Sequence, residues 1–436
     1  MRVPLFASLG AMSLLTPVAY GAVTLTDQDL TLNFGLDVQE RVQDANAGNA
    51  AGTPYDVFRG ANGKSQQLDF NMRRARFLMN GSYGDAWKFN LSFNGDNIDR
   101  NGDNSNTQSN SGAVGANNQA TNFNSNREVT VFKAYLERIL PIDADDKVIL
   151  HGGIDYPFFN LAIQGDPWWL FPQQRATGDM MGNRAAGCRV MASGTSYDWG
   201  ADVMESLDPN KDPSNANRRE GMFYSTRLQY TAFTDGKKPA CHEDFQGMPG
   251  HSVMISADIA LDSNDYGVAN TVMRAWSWGI EAICHWDDLS ALVEARTMHT
   301  KENNYNGVGG VGGGVNNSVT SRVLVAQAGY AIPAFGIHIE PALRFQLINF
   351  NTQVDESAAY NNGSPAGLPA WVSTYGGVTD RVNSGHQYDV GVNWIFTPYT
   401  MLQTAYTRWV GETGAGTTAG VHPYADIFRA QLQVAF

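Results

Sequence analysis

Three basic residues, Arg74, Arg76 and Lys88, lie in the stretch LDFNMRRARFLMNGSYGDAWKFNLSFNGD. Successive side chains of an extended chain point to opposite faces, so these three share one face if Phe77 lies on the other. Arginine can hold an oxyanion through two parallel hydrogen bonds and keeps its charge at physiological pH. The stretch therefore predicts a basic strip on one face of the strands. In a second interpretation, nearby carboxylates neutralise the strip: Asp69, Asp96 and Asp155.

A long segment at residues 157–184 carries a run of large apolar side chains, Trp168, Trp169, Leu170 and Phe171. These side chains require burial. If the chain encloses a channel, they can bury against its inner wall, and the segment would then narrow the channel. Exposed aromatic rings could instead stack on sugars, or the rings could serve only to hold the segment in place.

Two patterns resemble metal sites without completing them. Asp99, Asn101 and Asp103 alternate as at the start of a calcium loop, but Asn110 stands where that loop requires glutamate. His242 with its acidic neighbours is a weaker pattern, since the three cysteines have no metal-ligand spacing. We expect no metal and no cofactor.

No serine and histidine pair with a local catalytic signature is present, and the chain has only 8 histidines. We therefore expect a protein that is not an enzyme.

The elements that position these residues are strands. Apolar and polar residues alternate in DLTLNFGLDV, in WKFNLSFNGD and in QYDVGVNWIF, a period that predicts half-buried strands. About sixteen such segments are present, each near the ~9–11 residues that cross a bilayer at a tilt. They are 29–42, 66–82, 86–96, 127–139, 146–156, 185–196, 197–207, 219–233, 250–262, 272–286, 289–300, 320–332, 336–350, 383–396, 399–411 and 425–436.

The connections alternate between long and short. The long ones are 43–65, 97–126, 157–184, 208–218, 263–271, 301–319, 351–382 and 412–424; the short ones include 83–85, 287–288, 333–335 and 397–398. This rhythm predicts an all-β fold, a transmembrane antiparallel β-barrel of about sixteen strands with long extracellular loops and short periplasmic turns. Only residues 234–249 break the rhythm, because they are long where a short turn is expected.

The last segment, DIFRAQLQVAF, alternates up to Phe436. In a closed barrel this strand pairs with the first one and leaves no exposed edge. The alternative is a soluble protein of two β-sandwiches. The loop rhythm and the Tyr and Trp residues at the ends of the apolar faces favour the barrel.

The beginning of the chain indicates export. Arg2, an apolar stretch from Val3 to Val18 and small residues near Gly21 predict a signal peptide at 1–21, followed by a barrel domain at 22–436. A membrane anchor is the alternative. Without Arg2, 29 basic residues face 43 acidic ones, a net charge of −14 that repels nucleic acid. No nucleic-acid partner is expected.

The predicted inner wall carries both signs of charge beyond the basic strip. The alternation turns these residues inward: Asp37, Asp155, Asp258, Glu281, Glu294, Glu340, Asp389, Arg227, Arg296, Arg344 and Arg429. Such a mixed wall does not by itself predict phosphate selectivity.

The RRAR pattern with its Gly-Asp turn, and VFKAYLERIL followed by KVILHGGIDYPFFNLA, resemble the phosphate-selective porins of the O and P type. The resemblance covers most of 66–205. It implies a homotrimer in the bacterial outer membrane whose wall and third loop draw anions to a constriction. It also implies that the anion-attracting residues are Arg73, Arg74, Arg76 and Lys88 on the wall, with Arg175 and Arg184 in the loop beside Trp168 and Trp169.

Together these features predict an outer-membrane porin, a water-filled channel in contact with lipid that passes small hydrophilic solutes and inorganic anions by diffusion. An anion or phosphate preference follows from the resemblance. The alternatives are a sugar-selective porin and a surface-display or adhesion barrel without significant conductance.

Overall fold

The computed structural model describes residues 23–48, 66–95, 130–160, 170–172, 185–205, 219–232, 250–266, 271–304, 316–354, 382–397, 399–413 and 424–435. Its strands are β1 (Val23–Asp27), β2 (Leu30–Gly48), β3 (Gln66–Tyr83), β4 (Trp87–Asn94), β5 (Thr130–Pro141), β6 (Lys147–Asp155), β7 (Ala185–Ser193), β8 (Tyr197–Glu205), β9 (Arg219–Ala232), β10 (His251–Tyr266), β11 (Thr271–Trp286), β12 (Leu289–Asn304), β13 (Asn316–Tyr330), β14 (Ile332–Ala334), β15 (Ile337–Val354), β16 (Val382–Thr397), β17 (Thr400–Thr413) and β18 (Tyr424–Ala435).

The strands form one antiparallel sheet that closes on itself. Each long strand pairs with the next along the chain, and β18 pairs with β2 from Tyr424↔Gly48 to Ala435↔Asp37. The two short strands only extend hairpins, β1 on β2 and β14 on β15. The described residues therefore form a barrel of sixteen long strands, and the predicted fold and strand number are confirmed. No helix within the described ranges is long and apolar enough to cross a membrane.

The predicted turn at 333–335 is displaced by two residues. Ile332–Ala334 pair with β15, and the chain reverses at Phe335 and Gly336, which have φ angles of 54° and 79°. A two-residue turn with both φ angles positive matches the twist of the flanking strands, so the ladder continues up to it. The hairpin was predicted, but its turn lies at Phe335 and Gly336 and not at 333–335.

Short turns lie at one end of the barrel. Gly84 N–H donates to Asp29 C=O over 2.8 Å, which ties two neighbouring turns together. In the turn after β5 the Asp143 carboxylate accepts the N–H groups of Asp146 and Asp145 at 2.8 and 3.0 Å, and these bonds hold the pKa of Asp143 below its usual range. The connection 234–249, with Cys241 and His242, lies outside the described residues.

The two faces of the sheet differ in chemistry. Large apolar side chains on the outer face are exposed, among them Leu228, Tyr230, Ile259, Trp278 and Leu343. Exposed apolar side chains in such numbers fit a surface that contacts lipid. The inner face instead buries charged and amide side chains, so the polar half of every strand faces the interior.

Candidate functional site

The structure places Arg74 and Arg76 on the inner face of β3, with buried side chains. Arg74 Nη1 lies 3.5 Å from Asp37 Oδ2, and the guanidinium of Arg76 lies 3.9 Å from the centre of the Phe132 ring. The β2–β3 register shifts beside Arg73, which is the extra residue between the partners of Gln39 and Glu40. The bulge brings Arg73 and Arg74, adjacent in sequence, to this part of the wall.

Lys88 and Lys133 continue the basic strip on β4 and β5. Lys88 is exposed, and its register partner is Glu137. Lys133 Nζ lies 2.9 Å from Asp155 Oδ1, and 20 % of the Lys133 side chain is exposed. We call Arg74, Arg76, Lys88 and Lys133 the basic sector of the wall. Lys133 was not predicted as a site residue. It lies four residues before Glu137 on β5, so the alternation of side chains already puts both on the same face of the strand.

The other predicted site residues, Trp168, Trp169, Arg175 and Arg184, lie outside the described residues. The sugar-stacking and constriction roles of these four side chains therefore stay predictions. The described parts of loop 157–184 are 157–160 and 170–172.

Strands β9–β12 carry a cluster of five buried charges, which we call the ionic cluster: Arg227, Asp258, Glu281, Glu294 and Arg296. Arg296 Nη1 and Arg227 Nη1 lie 2.7 and 3.0 Å from the two oxygens of Asp258. Arg227 Nη2 and Arg296 Nη2 lie 2.9 and 3.3 Å from Glu281. Because these side chains are at most 1 % exposed, their charges largely cancel within the wall.

Two further arginines are paired in the same way. Arg189 Nε on β7 lies 2.6 Å from Asp202 Oδ1, and Arg344 Nε on β15 lies 2.8 Å from Asp389 Oδ2. Both pairs are buried on the inner face. Part of the mixed wall predicted from the alternation therefore consists of neutralised pairs on strands β7–β16. Glu340 accepts a hydrogen bond from Asn393, and Arg429 donates one to Thr407.

The start of loop 157–184 lies inside the barrel against these pairs. Phe158 N–H donates to Asp202 Oδ2 over 2.9 Å, and Asn160 N–H donates to Asp258 Oδ2 over 3.3 Å. Between them, the Phe159 ring packs 4.6 Å from the guanidinium carbon of Arg296. Carboxylates of the wall thus bind backbone N–H groups of the loop, and a guanidinium stacks on its ring.

The residues that follow the gap at 161–169 lie against another part of the wall. Asn393 Nδ2 on β16 donates to the Leu170 carbonyl oxygen over 3.1 Å. The Phe171 ring packs 4.6 Å from the guanidinium carbon of Arg344. Leu170 and Phe171 are about 1 % exposed and form an apolar cluster with Ala342 and Ala405 of the wall. The predicted burial of these two side chains against the barrel agrees with their position here.

A ladder of side-chain hydrogen bonds supports this second contact. Gln403 Nε2 donates to Asn393 Oδ1 over 3.1 Å, and Gln431 Nε2 donates to Gln403 Oε1 over 3.2 Å. Arg41 Nε donates to Gln431 Oε1 over 2.9 Å, and its Nη2 donates to the Pro172 carbonyl oxygen. Four strands, β16, β17, β18 and β2, therefore hold the loop through one continuous network.

The lumen thus has two unlike sides. On strands β7–β18 and β2, buried pairs and amides contact the loop, whereas the basic sector on β3–β5 includes water-exposed lysine. Such a wall can steer ions by charge, and it contains no described nucleophile and base arranged for covalent chemistry.

Residues 48–246 match the family model for the phosphate-selective porins O and P, a range that includes the basic sector, loop 157–184 and strands β3–β9. This part of the chain resembles that family of outer-membrane porins. No curated protein sequence matches this porin. Its fold is similar to the outer-membrane channel DcaP of Acinetobacter baumannii, with a TM-score of 0.54, 11 % identity, and coverage of 94 % of this chain and 99 % of that one.

The fold is also similar to the anion-selective porin of Comamonas acidovorans, with a TM-score of 0.50, 12 % identity, and coverage of 93 % of this chain and 100 % of that one. At these identities the likeness concerns the fold. The porin is a channel of the bacterial outer membrane for small solutes and anions, and it is not an enzyme. The predictions of family, location and channel function are confirmed.

Proposed function

We propose that this porin is a passive diffusion channel that prefers anions, and that the preference comes from the basic sector. The observation that carries the proposal is a contrast in exposure. Four arginines of the inner wall lie within 3.0 Å of buried carboxylates: Arg189, Arg227, Arg296 and Arg344. Lys88 is exposed, and Lys133, although it is paired with Asp155, keeps 20 % of its side chain exposed. A charge acts most strongly on a permeating ion when both share the same water-filled space.

Loop 157–184 is the proposed constriction, with Trp168, Trp169, Arg175 and Arg184 as its candidate lining. The positions of Phe158 and Leu170 inside the barrel support this role. Arg73, Arg74 and Arg76 contribute fixed positive charge farther along the wall, since the register partner of Arg76 is Asn94, six residues beyond Lys88 on β4. Solutes that pass between the loop and β3–β5 would meet this charge first.

We also infer a homotrimer and a cleaved signal peptide at 1–21, with the barrel domain at 22–436. The trimer is supported by the family resemblance alone. The signal peptide is supported by the composition of the first 21 residues. N-terminal sequencing of the exported protein tests the cleavage, and a mature chain that still begins at Met1 would refute it.

Reversal potentials in planar bilayers test the anion preference. The variant combines Lys88→Gln with Lys133→Gln, and the membrane separates unequal potassium chloride solutions. A unit charge ~4 Å from an ion in water is worth about 1 kcal/mol, so we expect the ratio of anion to cation permeability to fall roughly two- to five-fold. The fall should shrink at high salt, because salt screens exposed charges.

Arg408→Gln is the matched control, because Arg408 lies on the outer face paired with Asp426 at 3.1 Å. It removes one positive charge without changing the lumen. If the control shifts the reversal potential as much as the double variant does, or if the unsubstituted porin prefers cations, the proposal is wrong.

A further inference from the structure

Two glycines of the barrel wall lie directly beneath side chains of loop 157–184. A Cβ atom placed on Gly200 of β8 would lie 2.5 Å from Phe158 Cδ1. A Cβ atom placed on Gly329 of β13 would lie 2.8 Å from Leu170 Cδ1. Real Cβ atoms essentially never approach another atom closer than 3.0 Å, so any other residue at either position would displace the loop side chain.

Space, and not backbone conformation, requires glycine at these two positions. Neither is among the glycines with positive φ in the described residues, so an L-residue could adopt either backbone conformation. Glycine within a strand removes a packing side chain and weakens the strand, and it often marks a place where another segment approaches closely. The approaching groups here are Phe158 and Leu170, with exposures of 8 % and 1 %.

The two glycines contact different parts of loop 157–184, its start at Phe158 and its middle at Leu170. Gly200 lies on the strand of Asp202, whose carboxylate accepts the Phe158 N–H. Gly329 lies beside Glu340, whose Oε2 accepts a hydrogen bond from the same Asn393 Nδ2 that donates to the Leu170 carbonyl. At each of the two contacts, therefore, the space above a glycine is a socket that holds a loop side chain and lies next to a hydrogen bond to the loop backbone.

We propose that Gly200 and Gly329 are positioning residues that set the width of the channel, because they fix how far Phe158 and Leu170 of loop 157–184 stand from the wall. The inference rests on the proposed role of this loop as the constriction. The loop side chains lie on the inner side of both glycines, so a group added to either glycine moves the loop toward the lumen.

Single-channel conductance tests the proposal in Gly200→Ala and in Gly329→Ala. To reach the 3.4 Å at which ordinary contact begins, Phe158 must retreat by about 0.9 Å and Leu170 by about 0.6 Å. We expect both variants to lose conductance and to exclude neutral polymers at a smaller size than the unsubstituted porin does. Gly200→Ala should show the larger loss. Gly152→Ala is the matched control, since a Cβ there meets nothing within 4 Å.

Double variants separate this role from a general effect on the barrel. In the Phe158→Ala background the ring is gone, so adding Gly200→Ala should no longer lower the conductance. Leu170→Ala should reduce but not abolish the effect of Gly329→Ala, because a Cβ at Gly329 also lies 2.9 Å from Glu340 Oε1 of the wall. A loss of equal size with and without the loop side chain would overturn the proposal, as would a Gly200→Ala channel indistinguishable from Gly152→Ala. If the unsubstituted porin itself does not conduct, the proposed function fails instead.

If an alanine variant does not fold, the double variant that also lacks the loop side chain provides the test. A Gly200→Ala barrel that folds only in the Phe158→Ala background supports the socket, whereas failure in both backgrounds refutes it. The shift in mobility on unheated electrophoresis gels and the β-sheet circular dichroism signal report folding independently of conductance.

Discussion

Arg296 illustrates at the scale of one residue how the inner wall holds so many charges. It contacts Asp258 at 2.7 Å, Glu281 at 3.3 Å and Glu294 at 3.5 Å, with no exposed side-chain surface. Its guanidinium occupies the space above Gly279, where a Cβ would lie 2.5 Å from Nη2. A buried pair contributes little net stability, but losing one partner leaves the other charge buried and uncompensated.

We therefore predict that Arg296→Met lowers the free energy of unfolding by about 3–5 kcal/mol, because Asp258, Glu281 and Glu294 then lose the guanidinium group that they share. Arg408→Met is the control. It breaks a solvent-exposed pair with Asp426, so the expected loss is about 0–1 kcal/mol. Urea unfolding from lipid vesicles, followed by tryptophan fluorescence, measures both. Equal losses in the two variants would contradict the view that burial decides the cost.

At the scale of the strand, β18 closes the barrel, whereas β1 only extends a hairpin. β18 pairs along its length with both β17 and β2, whereas β1 pairs with the beginning of β2 and exposes all five of its side chains. Within lipid, an unpaired backbone N–H or C=O group costs several kcal/mol, so two open edges are far more harmful than one shortened hairpin.

Deletion of residues 424–436 should therefore abolish the folded barrel, whereas deletion of 23–27 should leave it folded. The mobility of unheated samples on electrophoresis gels distinguishes the two states. The same deletion of β18 should leave the protein sensitive to protease after reconstitution. A folded, protease-resistant barrel without β18 would show that β17 and β2 can pair directly, contrary to this expectation.

At the scale of the whole molecule, the proposed trimer contains three parallel channels, one through each barrel. We expect the protein extracted in mild detergent to have the mass of three chains, and its conductance to close in three equal steps, because each barrel has its own lumen. Light scattering with correction for bound detergent measures the mass. A single-chain mass with one-step closure would refute the trimer and leave the channel itself unaffected.

The alternation of side chains determined much of this porin in advance. A period of two, repeated in sixteen segments, is enough to fix the strands, their inward residues and the order of an antiparallel meander, since each strand pairs with its neighbour in the chain. Asp258, Glu281 and Arg296 were assigned to the inner wall in this way. Closure by β18 followed from the length and the amphipathic pattern of the last segment.

Only the tertiary structure decided which inward groups meet. Phe158 and Asp202 are 44 residues apart in sequence, Asn160 and Asp258 are 98 apart, and Leu170 and Asn393 are 223 apart. A periodic pattern tells which face a side chain occupies, but it contains no information on the path of a loop across that face. The glycine sockets follow from that path, because they form only where the loop and a distant strand come into contact. The arginine–carboxylate pairs follow instead from the strand register, since Arg189 and Asp202, like Arg344 and Asp389, are register partners on neighbouring strands.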